Sequence, residues 1–392
     1  MSRGLVRRAF KYRFYPTVAQ AAELSRTFGC VRLVYNMALE ERAAAWAHEQ
    51  RHVTYGDTSA MLTTWKKTED LAFLGEVSSV PLQQTLRHLQ SAFGQFFARR
   101  ARHPRFKSRK KSRASAEYTR SAFRWRNGRL LLAKMPDPLA IRWSRPLPEG
   151  VEPSTVTVSR DSAGRWFVSI LVETIVDHHV PTARAVGVDA GLTALVTLST
   201  GEKITNPRHE RKNRHRLARA QRALARKQRG SANREKARRT VARAYARIAD
   251  RRRDFLQKLS TRLVRENQTI VIEDLNVSGM LRGRQARAIS DASWSQLRSM
   301  LEYKAAWYGR EVIAIDRWFP SSKACSACGT LTSSMPLGVR TWACRCGAIH
   351  DRDVNAAKNI LAAGLAVTAC GDGVRPTRHV PARQPSQPPC KG

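Results

Sequence analysis

The spacing of apolar residues divides the N-terminal part of the chain into strand and helix segments. Residues 6–15 (VRRAFKYRFY) alternate roughly between apolar and polar positions, which predicts a strand. Apolar positions three and four residues apart then predict amphipathic helices as far as about residue 100. From 118 to 175 the pattern changes to strands, with a hairpin turn predicted at Asn127-Gly128. This order indicates one β-domain that is interrupted by helices.

A second domain is predicted to begin at Ala185, where short strand patterns alternate with helical ones. The segments AVGVD, LTALVTLS, QTIVIEDL and EVIAID each predict a buried strand. Residues 294–308 have the spacing of an amphipathic helix, and a final helix is predicted from about Asn355 to Ala363. The chain as a whole is therefore expected to have a multi-domain α/β fold.

The composition adds a strong positive charge. The chain has 392 residues, a formal net charge of +39 and a pI of about 11.3. Its apolar fraction of 42% is enough for hydrophobic cores, which excludes a wholly disordered protein. A charge this large is costly unless a polyanion neutralises it, and the phosphates of nucleic acid do so. The sequence contains no apolar run near the roughly 18–20 residues of a transmembrane helix and no apolar signal segment, so no membrane partner is expected.

Two segments concentrate this charge. Residues 203–253 hold 20 Lys and Arg against three acids, and Gly230 and Ser231 divide them into two predicted helical arms. A solvated pair of charged helices would explain the charges, but such helices usually intersperse acids, so contact with nucleic-acid phosphates is favoured. Residues 99–113 form a second basic segment, which is predicted to be a loop.

Three acids end apolar strands or begin a helix: Asp189 in VGVDAG, Glu273 in IVIEDLN and Asp353 in HDRDVNAAKN. Burial of an unpaired carboxylate is costly, and divalent cations such as Mg²⁺ relieve that cost. Two such ions suit phosphodiester hydrolysis. A single acid in such a position is more often a turn or capping residue, so both interpretations stay open. The pattern also does not choose between Glu273 and Asp274, or between Asp351 and Asp353.

Four of the seven cysteines have the spacing of metal ligands. Two CxxC-like pairs, the second with a single intervening residue, are separated by fifteen residues: Cys325, Cys328, Cys344 and Cys346. An odd total with one tight cluster favours a reducing compartment and a tetrahedral zinc site over disulfides. Unliganded cysteines are one alternative, and replacement of one sulfur by His350 is another. We favour four cysteine ligands in a closed, structural site that holds the segment leading to Asp353.

Taken together, these segments resemble a known family. VGVDAGL, IVIEDLNVSGM, WFPSSKACSACG and WACRCGAIHDRDVNAAKNIL resemble, in order, the signature segments of TnpB proteins. The stretches AFKYRFYPTVAQ, FGCVRLVYNMALE, SSVPLQQTLRHLQSAF and HPRFKSRKKS are also similar to that family. TnpB proteins are OrfB-type transposase-family proteins encoded by transposons and are relatives of type V CRISPR effectors. The resemblance covers nearly all of residues 6–365.

The resemblance implies a division into domains around an RNase H-like (RuvC) nuclease domain with a zinc-finger insertion. The expected parts are a wedge-like β-barrel domain (1–15 and 115–180), a helical recognition domain with a basic loop (16–114), the RuvC-like domain (183–317 and 349–366, with a basic helical hairpin at 203–262), a zinc-binding insertion (318–348) and a disordered tail (371–392).

The resemblance also implies a function, that of an RNA-guided DNA endonuclease that cuts beside a short target-adjacent motif. It selects Asp189, Glu273 and Asp353 as catalytic ligands of two Mg²⁺ ions, with Mn²⁺ as an alternative, and expects one structural Zn²⁺. Expected partners are a guide RNA from the transposon end and double-stranded target DNA, bound by a monomer in the bacterial or archaeal cytosol or nucleoid. The candidate nucleic-acid-binding residues are Gln83, Gln84, Arg105, Lys107, Arg109, Lys110, Lys111, Arg214, Arg222 and Arg226.

Three other activities remain open from the sequence. A transposase that performs strand transfer itself is one, although integrase-type transposases place Glu last and this chain has the order Asp, Glu, Asp. A nuclease-dead, RNA-guided DNA-binding regulator is the second, although such relatives lose catalytic acids. A small type V CRISPR effector is the third and is a close neighbour of the leading hypothesis.

Overall fold

A computed structural model of the chain describes residues 3–110, 112–336 and 338–369. The chain forms two compact units, one of Met1–His178 with Lys212–Arg251 and one of His179–Arg211 with Arg252–Gly392. The predicted disordered tail, 371–392, lies outside the described residues. None of the helices in the described ranges combines the length and the apolar character that a bilayer crossing requires.

The first unit begins with a strand and three helices, and further strands follow. Its elements are β1 (Arg3–Phe14), α1 (Val18–Glu49), α2 (Tyr55–Trp65), α3 (Ser79–Phe97), β2 (Ala114–Thr119), β3 (Phe123–Arg126), β4 (Arg129–Leu132), β5 (Ile141–Arg142), β6 (Pro153–Arg160) and β7 (Trp166–Asp177). Short 3-10 turns lie at Glu69–Gly75 and Arg120–Ala122.

An antiparallel sheet organises this unit in the order β2-β6-β7-β1-β5. Helices α1–α3 are therefore inserted between two strands of one sheet, as the sequence pattern predicts. The predicted hairpin is confirmed, because β3 pairs with β4 through Asn127 and Gly128, whose φ angles of 48° and 73° suit a primed turn. Among the described residues β2 and β5 are the two edges of the ladder, so the barrel interpretation stays a prediction.

The core of the first unit lies between this sheet and the helices. Alternate residues of β1 point inward, and Phe10, Tyr12 and Phe14 are all buried. They belong to the same apolar cluster as Leu82 and Leu86 of α3, which are four residues apart on one helix face. The cluster fixes the unit around β1.

The second unit is an α/β arrangement. The elements that follow β7 in the chain are β8 (Ala185–Ala190), β9 (Ala194–Leu198), β10 (Lys203–Thr205), α4 (His209–Ala225), α5 (Ala232–Glu266), β11 (Thr269–Glu273), α6 (Val277–Met280), α7 (Ala286–Ala292), α8 (Trp294–Tyr308), β12 (Glu311–Ile315), β13 (Thr341–Ala343), β14 (Ile349–Asp351) and α9 (Arg352–Ala369).

The two basic helices do not belong wholly to this unit. Residues Lys212–Arg251 of α4 and α5 cluster with the first unit. One reason is that Asp250 of α5 forms an ion pair with Arg165, which lies just before β7. The domain boundaries predicted from the sequence, which place 203–262 in the nuclease domain, stay a prediction.

A mixed sheet forms the centre of the second unit, in the order β10-β9-β8-β11-β12. Strands β8, β9 and β10 run antiparallel in sequence, whereas β11 is parallel to both β8 and β12. Helix α9 packs on β8 and β11 at two glycines. A Cβ atom on Gly187 would lie 2.7 Å from the backbone nitrogen of Leu361, and one on Gly364 would lie 2.6 Å from Val271 Cγ2. The missing side chains therefore permit the close approach of the helix to the sheet.

Candidate active site and metal centre

Two carboxylates lie at the carboxyl ends of neighbouring parallel strands. The register between β8 and β11 ends with Val188 opposite Ile272, and the next residues are Asp189 and Glu273. Because each strand is apolar and buried up to that point, the two acids emerge together at one edge of the sheet.

The third carboxylate arrives on α9. Asp353 lies in the first turn of this helix, which packs on the same two strands. Burial, together with the negative charges of Glu273 and Asp353, raises the pKa of Asp189 to about 7. The three predicted acids are therefore brought together from positions 84 and 80 residues apart (273 − 189 and 353 − 273).

Glu273 and its neighbour Asp274 face different partners. Burial raises the pKa of Glu273, and one of its oxygens, Oε1, accepts a hydrogen bond of 2.7 Å from Ser321 Oγ. Asp274 instead accepts hydrogen bonds from Arg298 and Arg317, which lower its pKa. The negative charge of Glu273 therefore acts on Asp189, whereas Asp274 is engaged by its two arginines.

Asp351 and Asp353 are separated in the same way. Asp351 Oδ1 accepts hydrogen bonds from the backbone N–H groups of Asp353 and Val354 and so caps α9. Its other oxygen accepts a hydrogen bond of 2.6 Å from Lys203. The interpretation of Asp351 as a helix-start acid is confirmed. The cap also explains why α9 begins at Arg352, three residues before the predicted start at Asn355.

A guanidinium group lies close to the third acid. Arg340 Nη1 is 3.4 Å from Asp353 Oδ1 and 3.5 Å from Oδ2. The carboxylate set is thus partly neutralised from the protein side.

The four cysteines converge as their spacing predicts. Their Sγ atoms form one group, with Cys325 and Cys346 separated by 3.8 Å and Cys328 and Cys344 by 3.7 Å. The strands β13 and β14 form a hairpin that brings the second pair to the first. Four converging sulfurs at these separations could hold a zinc ion.

His350 contacts this group from its edge. Its Nε2 lies 3.0 Å from Cys325 Sγ, and its ring packs against Trp342 at 4.9 Å. A ring nitrogen at this distance from one sulfur fits an N–H donor to a thiolate, an outer contact of a kind that orients metal ligands. The geometry therefore places His350 beside the four sulfurs.

A short segment joins the cysteine cluster to α9, and we call residues 321–326 the strap. Asn359 Nδ2 donates to the carbonyl oxygens of Ser321 (2.8 Å) and Ala324 (2.7 Å). Asn355 Nδ2 also donates to Ala324 O (2.7 Å), and its Oδ1 accepts from the Ser326 N–H (2.9 Å). Both asparagine side chains are buried, so these bonds satisfy amides that water does not reach.

The roles of Ser321 and Asn359 were missed from the sequence. Both lie in segments that carry the family resemblance, PSSK and NAAKN, but no chemical pattern distinguishes them from ordinary polar residues. The spacing of Asn355 and Asn359, four residues apart on a helix otherwise rich in alanine, is the one available indication.

Comparisons with known proteins identify the relatives of this chain. Family models match three parts of the chain: residues 167–284 match a model described as "Probable transposase", 294–360 a "Cas12f1-like, TNB domain" and 1–51 a "Helix-turn-helix domain". A protein of Streptomyces pristinaespiralis named "Putative RNA-guided DNA endonuclease" is 72% identical over 95% of this chain and 93% of its own length. The Escherichia coli K12 protein "Putative RNA-guided DNA endonuclease InsQ" is 36% identical over 95% of this chain and 97% of its own.

The chain belongs to the TnpB family. The resemblance that the sequence segments carry is thereby confirmed. A solved structure titled "Cryo-EM structure of the Cas12f1-sgRNA-target DNA complex" has the same multi-domain α/β fold, with a TM-score of 0.57, 13% identity and coverage of 91% of this chain and 98% of that one. The description "Helix-turn-helix domain" does not fit this TnpB chain literally, because described residues 3–51 contain β1 and the single long helix α1.

The candidate phosphate contacts of this TnpB chain are mostly exposed and lie in the first unit. The exposed ones are Arg105, Arg109, Lys110, Arg214, Arg222 and Arg226. Lys107 differs, because its ammonium lies over the Tyr35 ring at 3.7 Å and burial lowers its pKa to about 8. The predicted contact Lys111 lies outside the described residues.

The basic loop and the basic helices approach one another. The pKa of Glu235 at the start of α5 is lowered mainly by a hydrogen bond from Arg238, and the charge of Arg109 in the loop adds to the effect. The positive charge of the loop therefore reaches the start of α5 within the first unit.

The two glutamines predicted to read bases face the protein interior to different degrees. Gln84 is buried. Gln83 is half-buried, and its Oε1 accepts hydrogen bonds from Tyr55 OH (2.8 Å) and Ser59 Oγ (3.2 Å). Their role in base recognition stays a prediction.

Proposed function

We propose that this chain is an RNA-guided DNA endonuclease, encoded by a transposon, that cuts target DNA beside a short target-adjacent motif. Two relatives that match over most of their length have names that begin "Putative RNA-guided DNA endonuclease". In an enzyme of this kind base pairing to the guide reads the sequence, while the protein contacts backbone and a short motif. Guide RNA and double-stranded DNA would be its partners.

The nuclease centre is proposed to be RuvC-like, on an RNase H-like sheet. The order of its strands supports this assignment: an antiparallel meander of three strands, then two strands parallel to the first. We further propose the remaining division of the chain as the sequence predicts it, with a wedge-like β-domain, a helical recognition domain and a zinc-binding insertion.

One observation carries the proposal, the convergence of Asp189, Glu273 and Asp353. Burial and two neighbouring negative charges raise the pKa of Asp189 to about 7. A protein rarely gathers buried like charges unless a cation offsets them. Asp274 accepts hydrogen bonds from two arginines, and Asp351 accepts them from Lys203 and the first turn of α9, so we do not propose either as a cation ligand.

The donor set fits Mg²⁺, because carboxylate oxygens are the hard ligands that this ion prefers. When bound, a pair of such ions supplies an activated water and stabilises the leaving oxygen. Asp189 and Glu273 would hold the cations from the rigid strand ends, and Asp353 would complete the set from α9. The protein half-buries Asp189 and keeps Asp274 and Asp351 engaged with other partners.

The four sulfurs fit a structural Zn²⁺, because they converge without a water-accessible carboxylate or an open fourth position among them. We propose Cys325, Cys328, Cys344 and Cys346 as its ligands. The site would then fix the strap and, through Asn355 and Asn359, the helix that carries Asp353.

The family description "Probable transposase" keeps direct strand transfer as a second candidate. The order of the acids along the chain, Asp then Glu then Asp, favours the nuclease. The products decide between the two, because strand transfer joins a donor end to the target and hydrolysis leaves a free end. A nuclease-dead regulator is disfavoured by the presence of all three acids.

The experiment is cleavage of plasmid DNA by the full chain co-purified with its RNA. Sequencing of that RNA gives the guide, and a plasmid library with the matching site beside randomised bases gives the adjacent motif. We expect Mg²⁺-dependent cleavage that disappears in Asp189→Asn and when RNA is removed. Cleavage that survives either change would contradict the proposal. Asp274→Asn is the matched control and should cut normally.

A second experiment addresses the basic surface. Arg222 in the last turn of α4 and Arg226 just after that helix are exposed, so their joint replacement by Gln should leave folding intact. If they contact phosphates, RNA or DNA binding should weaken uniformly across sequences, and the salt dependence should flatten by about one unit of slope per contact. An unchanged slope would restore the interpretation of a solvated charged face.

A further inference from the structure

We infer that Ser321 is a positioning residue for Glu273, and that the strap transmits the position of α9 and of the cysteine cluster to this acid. The inference rests on the proposed role of Glu273 as a cation-binding acid. It adds a residue to the site that neither the spacing of the acids nor the relatives' names assign.

The side chain of Ser321 contacts Glu273 directly. Ser321 Oγ donates a hydrogen bond of 2.7 Å to Glu273 Oε1, and only 5% of Ser321 is exposed. Where water is largely excluded, a hydroxyl at this distance is the group that selects the rotamer of the carboxylate. A carboxylate that is held by one oxygen can still offer the other to a cation.

Ser321 is itself held by contacts with two other elements. Its carbonyl oxygen accepts a hydrogen bond of 2.8 Å from Asn359 Nδ2, so the residue is bound on its side chain by β11 and on its backbone by α9. Three further bonds from Asn355 and Asn359 fix Ala324 and Ser326. These two asparagines are one helical turn apart and present one face of α9 to the strap.

The cysteine cluster is connected to the strap through Cys325. Cys325 lies within the strap, between the two residues that Asn355 holds, Ala324 and Ser326. An ion held by the four sulfurs would therefore restrain the strap. The strap in turn contacts Glu273 through Ser321 and contacts α9 through Asn355 and Asn359. Asp353 lies in the first turn of the helix to which the strap is bound. The second and third acids thus share one set of restraints.

Displacement of the Glu273 carboxylate is expected to slow the reaction. A displacement of a reacting or metal-binding group by about 1 Å lowers a rate by about 100-fold, even where folding is unaffected. Loss of the Ser321 hydroxyl would free Glu273 to leave its position without removing any cation ligand. The expected defect is in the rate of the chemical step and in the demand for cation, with substrate binding unchanged.

The test compares Ser321→Ala, Ser321→Thr and Ser260→Ala in the full chain with its RNA. Ser260 is the matched control, because its hydroxyl is also buried and hydrogen-bonded, to Leu256 O and the Lys304 ammonium, away from the acids. For Ser321→Ala we expect kcat to fall about 10- to 100-fold, KM to stay within about threefold, and the Mg²⁺ concentration for half-maximal rate to rise. Ser321→Thr, which keeps the hydroxyl, should recover most of the rate.

Zinc content and the thermal unfolding temperature separate positioning from a merely structural role. Both should match the wild type in Ser321→Ala, and Ser260→Ala should cut DNA normally. An unchanged kcat in Ser321→Ala, or a loss that follows zinc content or folding and is not rescued by threonine, would overturn the inference. If Ser321→Ala does not fold, Asn359→Leu supplies the same comparison, because it releases the Ser321 carbonyl.

A parallel arm with Asp189→Asn keeps the two proposals apart. If Asp189→Asn abolishes cleavage while Ser321→Ala cuts normally, the positioning inference fails and the nuclease proposal stands. If Asp189→Asn still cuts, the proposed function itself fails.

Discussion

The carboxylate set and the cysteine cluster of the second unit are assembled by different means. The cysteines come from 22 consecutive positions (346 − 325 + 1), and one β-hairpin brings their sulfurs within 4.8 Å of one another. The acids come from two parallel strands and a helix that only the folded sheet brings together. The sulfur site is therefore a local device, whereas the carboxylate site depends on the whole α/β packing.

The two sites also differ in how the protein treats charge. The cysteine cluster is mostly at the surface, with Cys328 and Cys346 exposed. Asp189 is half-buried among like charges, and both the burial and the charges raise its pKa. Four converging sulfurs are typical of a structural ion, and clustered carboxylates are typical of cations that serve a reaction. The strap connects the two sites, so a substitution in one site is expected to change a measurable property of the other.

The largest expected effect comes from the pair Asp353 and Asp351. Replacement of Asp353 by Asn removes a proposed cation ligand, and a loss of several kcal/mol of transition-state stabilisation corresponds to a rate lower by about 1000-fold. Asp351→Ala removes a helix cap and should cost about 1 kcal/mol of stability with cleavage retained. Single-turnover cleavage and thermal unfolding measure the two. Equal loss of cleavage in both variants would mean that the start of α9, and no single acid, is what the site requires.

The next effect concerns the cysteine cluster. Joint replacement of Cys325 and Cys328 by Ser should remove the zinc, loosen the strap and lower cleavage by about 100-fold through displacement of the acids. Metal analysis gives the zinc content, and amide hydrogen exchange should rise in residues 321–330 and at the start of α9.

Cys30→Ser is the control for this experiment. Cys30 is a buried cysteine of the first unit and lies outside the cluster, so its replacement should leave the zinc content at wild-type level. Full retention of zinc by the Cys325 and Cys328 double variant would remove the assignment of the cluster.

The contrast between a local and a dispersed site also explains how much of each could be predicted from the sequence. The convergence of the four cysteines could be predicted from spacing alone, because a local cluster leaves a local pattern. The strands that carry Asp189 and Glu273 could be predicted as well, since each is an uninterrupted apolar run. Their register could not, and neither could the choice of Glu273 over Asp274. That choice depends on Arg298 and Arg317, which lie 24 and 43 residues further along the chain.

Some elements escaped prediction for a related reason. The start of α9 was placed at Asn355, because the Asp351 cap becomes visible only when its oxygen is seen to meet two backbone N–H groups. The membership of Lys212–Arg251 in the first unit depends on tertiary contacts such as that of Asp250 with Arg165. The short strands β13 and β14 have too few residues for a periodicity and form where the cysteine pairs meet.

The smallest effect tests whether the local site is made of sulfur alone. His350 Nε2 lies 3.0 Å from Cys325 Sγ, and its ring packs on Trp342. His350→Phe keeps a ring of similar size and removes the N–H donor, so we expect one zinc per chain with an affinity lower by about 10- to 100-fold, as for loss of an outer hydrogen bond. His350→Gln keeps an N–H donor and should lose less. Competition with a chromophoric chelator measures both affinities. If both variants lose their zinc completely, the imidazole nitrogen is itself a ligand, and the contrast between an all-sulfur site and an all-carboxylate site no longer holds.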